Sequence, residues 1–234
     1  MGHCRAGLRG RDVASSPLSS NCTRPGLHNL SQSRTIEDPH WRPCARFTSA
    51  ELPAGHRPWL LDDGSLTGRL IELKRGPFAV ERLYQGWQVP LPSERRLLRM
   101  SPRQQALVRE VALLVAGEPQ VFARSVFPIA SLTGGLTHLR RLQNRSLGAI
   151  LFRDPGMRRS PFELAHIPGD SDYLPQQLRQ AEAAWGRRSR FEIECKGMLV
   201  SEVFLQQFIP WTSALPVHRT QRGKVSAAIV PAKQ

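Results

Sequence analysis

The chain is poor in the patterns that most readily announce a function. Its 234 residues hold four cysteines, Cys4, Cys22, Cys44 and Cys195, three of them in the first fifty residues. None stands in CxxC or CxxCH spacing. A disulfide framework needs cysteines spread through the folded part, so a reducing compartment, the cytoplasm, is expected. The seven histidines are scattered, with no pair at helical metal-ligand spacing, which points away from zinc and leaves no metal expected. No apolar run approaches the length of a membrane span. The N-terminus lacks the apolar stretch of a signal peptide; it is basic and serine-rich, but Gly and Pro interrupt any amphipathic helix of a transit peptide. There is no Walker-type GxxxxGK[ST] loop, no GxGxxG after a strand and no GxSxG elbow. Acidic residues are scarce: 19 stand against 33 Lys and Arg, for a net charge of +14.

So basic a balance invites a nucleic-acid reading, and its distribution argues against one. Residues 1–50 carry a net +4 and residues 214–234 another +4, leaving +6 for the 163 residues between. A nucleic-acid binder needs the excess on one face of the folded body, so nucleic acid is not an expected partner. Residues 1–50, rich in Gly, Pro, Ser and Arg and without a sustained period, are expected to form a disordered basic extension. Residues 51–213 are expected to fold as one domain, monomeric and without a membrane segment, and 214–234 to form a flexible basic tail.

Within the body, Pro58–Leu61 reads as a short apolar turn of helix, broken by Asp62-Asp63-Gly64-Ser65. Ser65 or Asp63 can cap a second helix from Leu66 to about Leu73. Phe78–Trp87 reads as a strand. Ala106–Val115 and Gln120–Phe127 read as a hairpin around Ala116-Gly117-Glu118-Pro119. A helix capped at Ser101-Pro102 competes for the first of these segments, but the tight turn and the β-branched partner favour a strand, with helical turns confined to about 94–104. Ser131–Phe152 reads as helix in two pieces, Pro161–Ile167 as a strand and Pro175–Ala184 as a short polar helix. Ser189–Cys195 and Met198–Gln206 form a second hairpin. About six strands in hairpin order predict an antiparallel α+β domain with flanking helices rather than a βαβ fold.

Three of these strands carry a charge on an otherwise apolar face. Alternate residues of a strand share a face, so Arg109 lies beside Leu107, Val111 and Leu113, Arg124 beside Phe122 and Val126, and Glu202 beside Val200 and Phe204. A charge so placed costs several kcal/mol unless a partner compensates it. Either arginine can pair with Glu202 in a purely structural bridge. Two arginines for one glutamate favour instead an enclosed pocket for an anionic small molecule, because Arg binds carboxylates bidentately. The basic stretch Trp185-Gly186-Arg187-Arg188-Ser189-Arg190 reads as a solvated turn leading into a strand.

The ordered blocks Trp59-Leu60-Leu61, Asp63-Gly64-Ser65-Leu66-Thr67, Arg109-Glu110-Val111, Gly117-Glu118-Pro119, Ala123-Arg124-Ser125, Leu147-Gly148, Leu151-Phe152, Trp185–Ser189 and Glu202-Val203-Phe204-Leu205 resemble the chorismate lyase family over roughly residues 55–212. The resemblance implies an antiparallel sheet with the ligand buried beneath helical flaps. It implies cleavage of chorismate to 4-hydroxybenzoate and pyruvate, the first committed step toward ubiquinone, without a cofactor. It implies substrate contacts at Leu66, Arg109, Leu147 and Glu202. From the charges themselves, Arg109 and Glu202 are expected to carry the chemistry, and Arg124 to hold a second carboxylate or to balance Glu202. Leu66 stands where a relative has Met. Ala123 stands where a relative has Gly, and its methyl bears on ligand fit and product release. An alternative is a non-catalytic sensing domain of the related effector-binding fold, which would need an N-terminal helix-turn-helix that residues 1–50 do not suggest.

Overall fold

The computed structural model describes residues 36–48 and 50–212. Among these, strand β1 (Arg42–Pro43) comes first, followed by two short helices, α1 (Arg57–Leu60) and α2 (Leu66–Glu72), then strand β2 (Phe78–Gln88), helix α3 (Pro92–Leu98) and the hairpin β3 (Ala106–Val115) and β4 (Glu118–Pro128). A 3-10 segment, Gly134–Arg141, and helix α4 (Gly148–Leu151) follow. The chain then runs through β5 (Arg158–Arg159), β6 (Glu163–Ile167), β7 (Ala184–Ile193) and β8 (Lys196–Phe204). With β1 (Arg42–Pro43) they make one antiparallel sheet of eight strands, in the order β1-β6-β7-β8-β4-β3-β2, with β5 also on β7. The six longer strands fall on the six segments expected from the sequence, although β7 begins at Ala184, ahead of the expected Ser189; β1 and β5 are two-residue pairings too short to show a period.

Helices cover both faces of the sheet, which is why β3 is buried along nearly its whole length. On one face, Leu66 and Leu70 of α2 pack on Val111 and Leu113. Leu147 and Leu151 pack nearby with Leu107 and Phe191. On the other, Leu97 and Leu98 of α3 meet Val108, Val126 and Leu199. The Ser65 hydroxyl caps α2 by accepting from the Gly68 N–H, as its position before the apolar stripe suggests.

Three expectations change. The segment Ile36–Thr48 packs on the body: Arg42 and Pro43 pair with β6, and Trp41 lies edge-on to Tyr173. Residues 36–48 of the expected extension therefore lie against the body; the rest of that extension, and the tail from 214, lie outside the described residues. The expected helix at 175–184 is a single 3-10 turn, Gln176–Leu178, because Ala184 already belongs to β7. The Trp185–Arg190 block is no solvated turn but the interior of β7, with Arg187 and Arg188 buried. Gly186 belongs there because a methyl would stand 3.1 Å from both Trp41 and Ile167.

The largest correction concerns Arg124. A register shift between Leu113 and Leu114 sets Arg109 opposite Ser125, and Glu110 opposite Arg124. Without that bulge the hairpin would pair Arg109 with Arg124 on a common face. With it, Arg124 turns to the α3 side. There its Nε and Nη2 donate to the two oxygens of Glu94 at 2.8 and 3.1 Å, and its Nη1 to Glu110 at 2.7 Å. Burial alone would lower its pKa, but Glu94 and Glu110 hold it above the usual guanidinium range. Glu94 also accepts the Leu91 N–H that opens α3. On the same face Arg188 donates to Glu163 and to the Ser93 hydroxyl. Arg124 therefore neither binds in the cavity described below nor balances Glu202.

Glu94→Ala leaves Arg124 half-compensated and removes the α3 cap. It should cost about 3 kcal/mol or more in urea unfolding; a loss below about 1 kcal/mol, the range of an exposed pair, would deny the cluster its structural role.

Candidate functional site

The opposite face of the sheet floors a cavity with about 530 Å³ of space free of atoms, part of it open to solvent. Its floor follows from the pairing register. One row runs Arg109, Ser125, Val200 and Ser189 across β3, β4, β8 and β7. The adjacent row runs Val111, Ala123, Glu202 and Arg187 across the same strands. Paired residues of an antiparallel sheet point to one side, so Arg109 and Glu202 share the floor although 93 positions separate them. Leu66 opens α2 and Leu147 immediately precedes α4; both line the roof. The Thr67 and Ser146 hydroxyls join the two roof elements at 2.9 Å. The structure thus brings together Leu66, Arg109, Leu147 and Glu202, together with Ala123, and leaves Arg124 out.

Arg109 is 2% exposed and forms no ion pair among the described residues. Its Nη2 donates to the carbonyls of Gln143 and Arg145 at 2.7 and 2.9 Å, while its Nε is buried with no partner among the described residues. Desolvation, reinforced by Arg82, pulls its pKa down to about 10. The guanidinium is thus oriented by two loop carbonyls and left unneutralised.

Glu202 is held differently. Its Oε2 accepts from Arg187 Nε at 2.7 Å, whereas Oε1 takes no hydrogen bond from the described residues. The bridge to Glu202 allowed for Arg109 or Arg124 belongs to Arg187 instead. Arg187 also donates from Nη1 to the carbonyls of Trp59 and Asp62 at 2.6 and 2.8 Å. One arginine thereby fixes both the floor carboxylate and the turn that leads into α2.

A second cavity arginine, Arg159, escapes sequence reasoning. It lies in β5, whose two residues give no periodic signal. Its Nε donates to Ser189 Oγ at 2.7 Å and its Nη1 to the Asp63 carbonyl at 3.2 Å. The rings of Phe162 and Phe191 stand 4.1 and 4.8 Å from its guanidinium carbon. Desolvation, then the like charge of Arg187, lowers its pKa to about 9. Arg187 was legible: it shares strand parity with Ser189, Phe191 and Ile193, so reading the block as strand would have turned it inward.

Comparison with known proteins places these features in a family. The chorismate lyase family model matches residues 37–214. A relative from Pseudomonas aeruginosa (strain UCBPP-PA14), named a probable chorismate pyruvate-lyase, is 46% identical over 147 residues, covering 63% of this chain and 81% of that protein. One from Pseudomonas fluorescens (strain Pf0-1), named probable chorismate pyruvate-lyase 2, is 40% identical over 168 residues, covering 71% and 89%. Among solved structures, the effector domain of PhnF from Mycobacterium smegmatis superposes with a TM-score of 0.45 at 12% identity, covering 62% of this chain and 91% of that chain.

Both cavity arginines remain cationic near neutrality, since their lowered pKa values still lie at about 10 and about 9. Affinity for a simple aromatic carboxylate such as benzoate should therefore stay constant within about twofold from pH 6 to pH 8, because no guanidinium proton is exchanged there. A tenfold decline over that range in titration calorimetry would mean that Arg109, which faces the ring carboxylate, had lost its charge.

Proposed function

The chain belongs to the chorismate lyase family, and from that premise we propose that it is a chorismate pyruvate-lyase. It converts chorismate to 4-hydroxybenzoate and pyruvate in the cytoplasm, and its product serves as the ring precursor of ubiquinone. The observation that carries this reading is Arg109: a buried, oriented and unneutralised guanidinium on a cavity floor, with a carboxylate on the same floor.

Chorismate presents a ring carboxylate, a ring hydroxyl and an enolpyruvyl ether with its own carboxylate. In the reaction the bond between the ring carbon and the ether oxygen breaks, and its electron pair leaves with the oxygen. The neighbouring ring carbon, which bears the hydroxyl, gives up its proton, and the enol methylene gains one to become the methyl of pyruvate. Atoms and charge balance without an external oxidant or reductant, and the ring becomes aromatic. What the protein supplies is position and fixed charge. Arg109 clamps the ring carboxylate. Glu202, pinned through Oε2 by Arg187, offers Oε1 to the ring hydroxyl. That contact orients the carbon that loses its proton, so Glu202 acts by positioning and the proton passes within the substrate. Leu66 and Leu147 cover the ring from above, and the Ala123 methyl rises from the floor beside Glu202.

Ultraviolet monitoring of chorismate with the purified protein should show 4-hydroxybenzoate with equimolar pyruvate. Binding without pyruvate release would identify a sensing module instead. Arg109→Ala should lower kcat/KM by at least about a hundredfold, in line with loss of a charge-assisted clamp, while the protein stays folded; unchanged turnover removes Arg109 from the site. Glu202→Gln keeps the volume but weakens acceptance from the hydroxyl, so 4-hydroxybenzoate should bind about tenfold less tightly. Wild-type affinity in that variant contradicts the orienting role.

A further inference from the structure

Resting on the chorismate reading, we infer that Arg159 is the subsite for the second, enolpyruvyl carboxylate of the substrate, the role the sequence suggested for Arg124. Arg124 is neutralised on the far side of the sheet by Glu94 and Glu110. Arg159 faces the cavity, and no carboxylate pairs with it among the described residues. Its fixed contacts orient it without cancelling its charge: a serine hydroxyl, one backbone carbonyl and aromatic faces.

Its place on the floor suits a molecule with two anionic ends. Arg109 and Ser189, the residue that holds Arg159 Nε, end one row across four adjacent strands. Three strand spacings put their backbones about 14 Å apart. Glu202 stands on β8, between the two, one row along. The order across the site is cation, acceptor, cation. A ring carboxylate at Arg109 and a ring hydroxyl at Glu202 leave the adjacent ether pointing its carboxylate toward the remaining cation. Arg159 thereby separates a dianionic substrate from monoanionic aromatic acids, including the aromatic product itself.

If Arg159 served only to fill space among Phe152, Phe162 and Phe191, its charge would have no use in binding. Three ligands separate that case: 4-hydroxybenzoate, its 3-(carboxymethoxy) derivative, and the 3-(carbamoylmethoxy) derivative, which has nearly the same shape but one negative charge fewer. In the wild-type protein the carboxymethoxy compound should bind at least about tenfold more tightly than the carbamoyl compound, as expected of a charge-assisted contact. In Arg159→Met, which retains an apolar stem against the rings, that ratio should fall to about one while 4-hydroxybenzoate affinity stays within about twofold. A wild-type ratio near one overturns the assignment, as does a ratio that survives in Arg159→Met or an equal loss of all three ligands in that variant. Should Arg159→Met fail to fold, the wild-type ratio alone decides. A wild-type protein that binds none of the three and releases no pyruvate from chorismate brings down the lyase reading itself, whereas one that turns over chorismate without the charge preference brings down only the role of Arg159.

Discussion

Burying a guanidinium with no carboxylate beside it costs several kcal/mol, and Arg109 is the residue around which the site is arranged. The Gln143 and Arg145 carbonyls stabilise it only in part, and its Nε has no partner among the described residues. A sheet that needed only packing at this position would place an aliphatic residue there, as it does at Val111 and Leu113 on the same face. The retained charge makes sense when a ligand supplies the missing anion. The roof, the loop that orients Arg109 and the carboxylate across the floor are all organised about that need.

The sheet solves a second problem by parity. It carries many buried charges, and the pleat divides them between two faces. On the α3 side, Arg124, Glu94, Glu110, Arg188 and Glu163 pair among themselves and close into structure. On the cavity floor Glu202 pairs with Arg187, while Arg109 and Arg159 form no ion pair among the described residues. The bulge at Leu113/Leu114 makes the division, since a one-residue slip exchanges the faces of a strand. Arg187 links floor to roof: it holds Glu202 with one nitrogen, and with another the turn from which α2 springs. Positioning of the acceptor and placement of the cover therefore depend on the same side chain.

Much of this was legible in the sequence, for local reasons. Alternation revealed the six longer strands, the Ala116-Gly117 turn revealed the β3–β4 hairpin, and Ser65 revealed the start of α2. Arg109 and Glu202 stood out as charges in apolar alternation, and the cavity gathers them with Leu66 and Leu147. What stayed hidden was non-local. The bulge that turns Arg124 away depends on how two strands align, not on either strand's own pattern. The partners of Arg124 come from α3 and β3, and the partner of Glu202 from β7. Arg159 sits in a two-residue strand, where periodicity has nothing to work on. Trp41 docks against Tyr173 and Arg188, and Arg42 pairs with Leu164, non-local contacts that a composition-based boundary at residue 50 cannot foresee.

The most direct test is a crystal structure with 4-hydroxybenzoate bound, because the compound has one charged end and one hydroxyl end and must choose a direction in the cavity. The carboxylate should lie against Arg109 and the phenolic oxygen against Glu202 Oε1, with Arg187 still bridging Oε2. A ligand found in the reverse direction, or bound outside the space between α2 and the sheet, would contradict that arrangement.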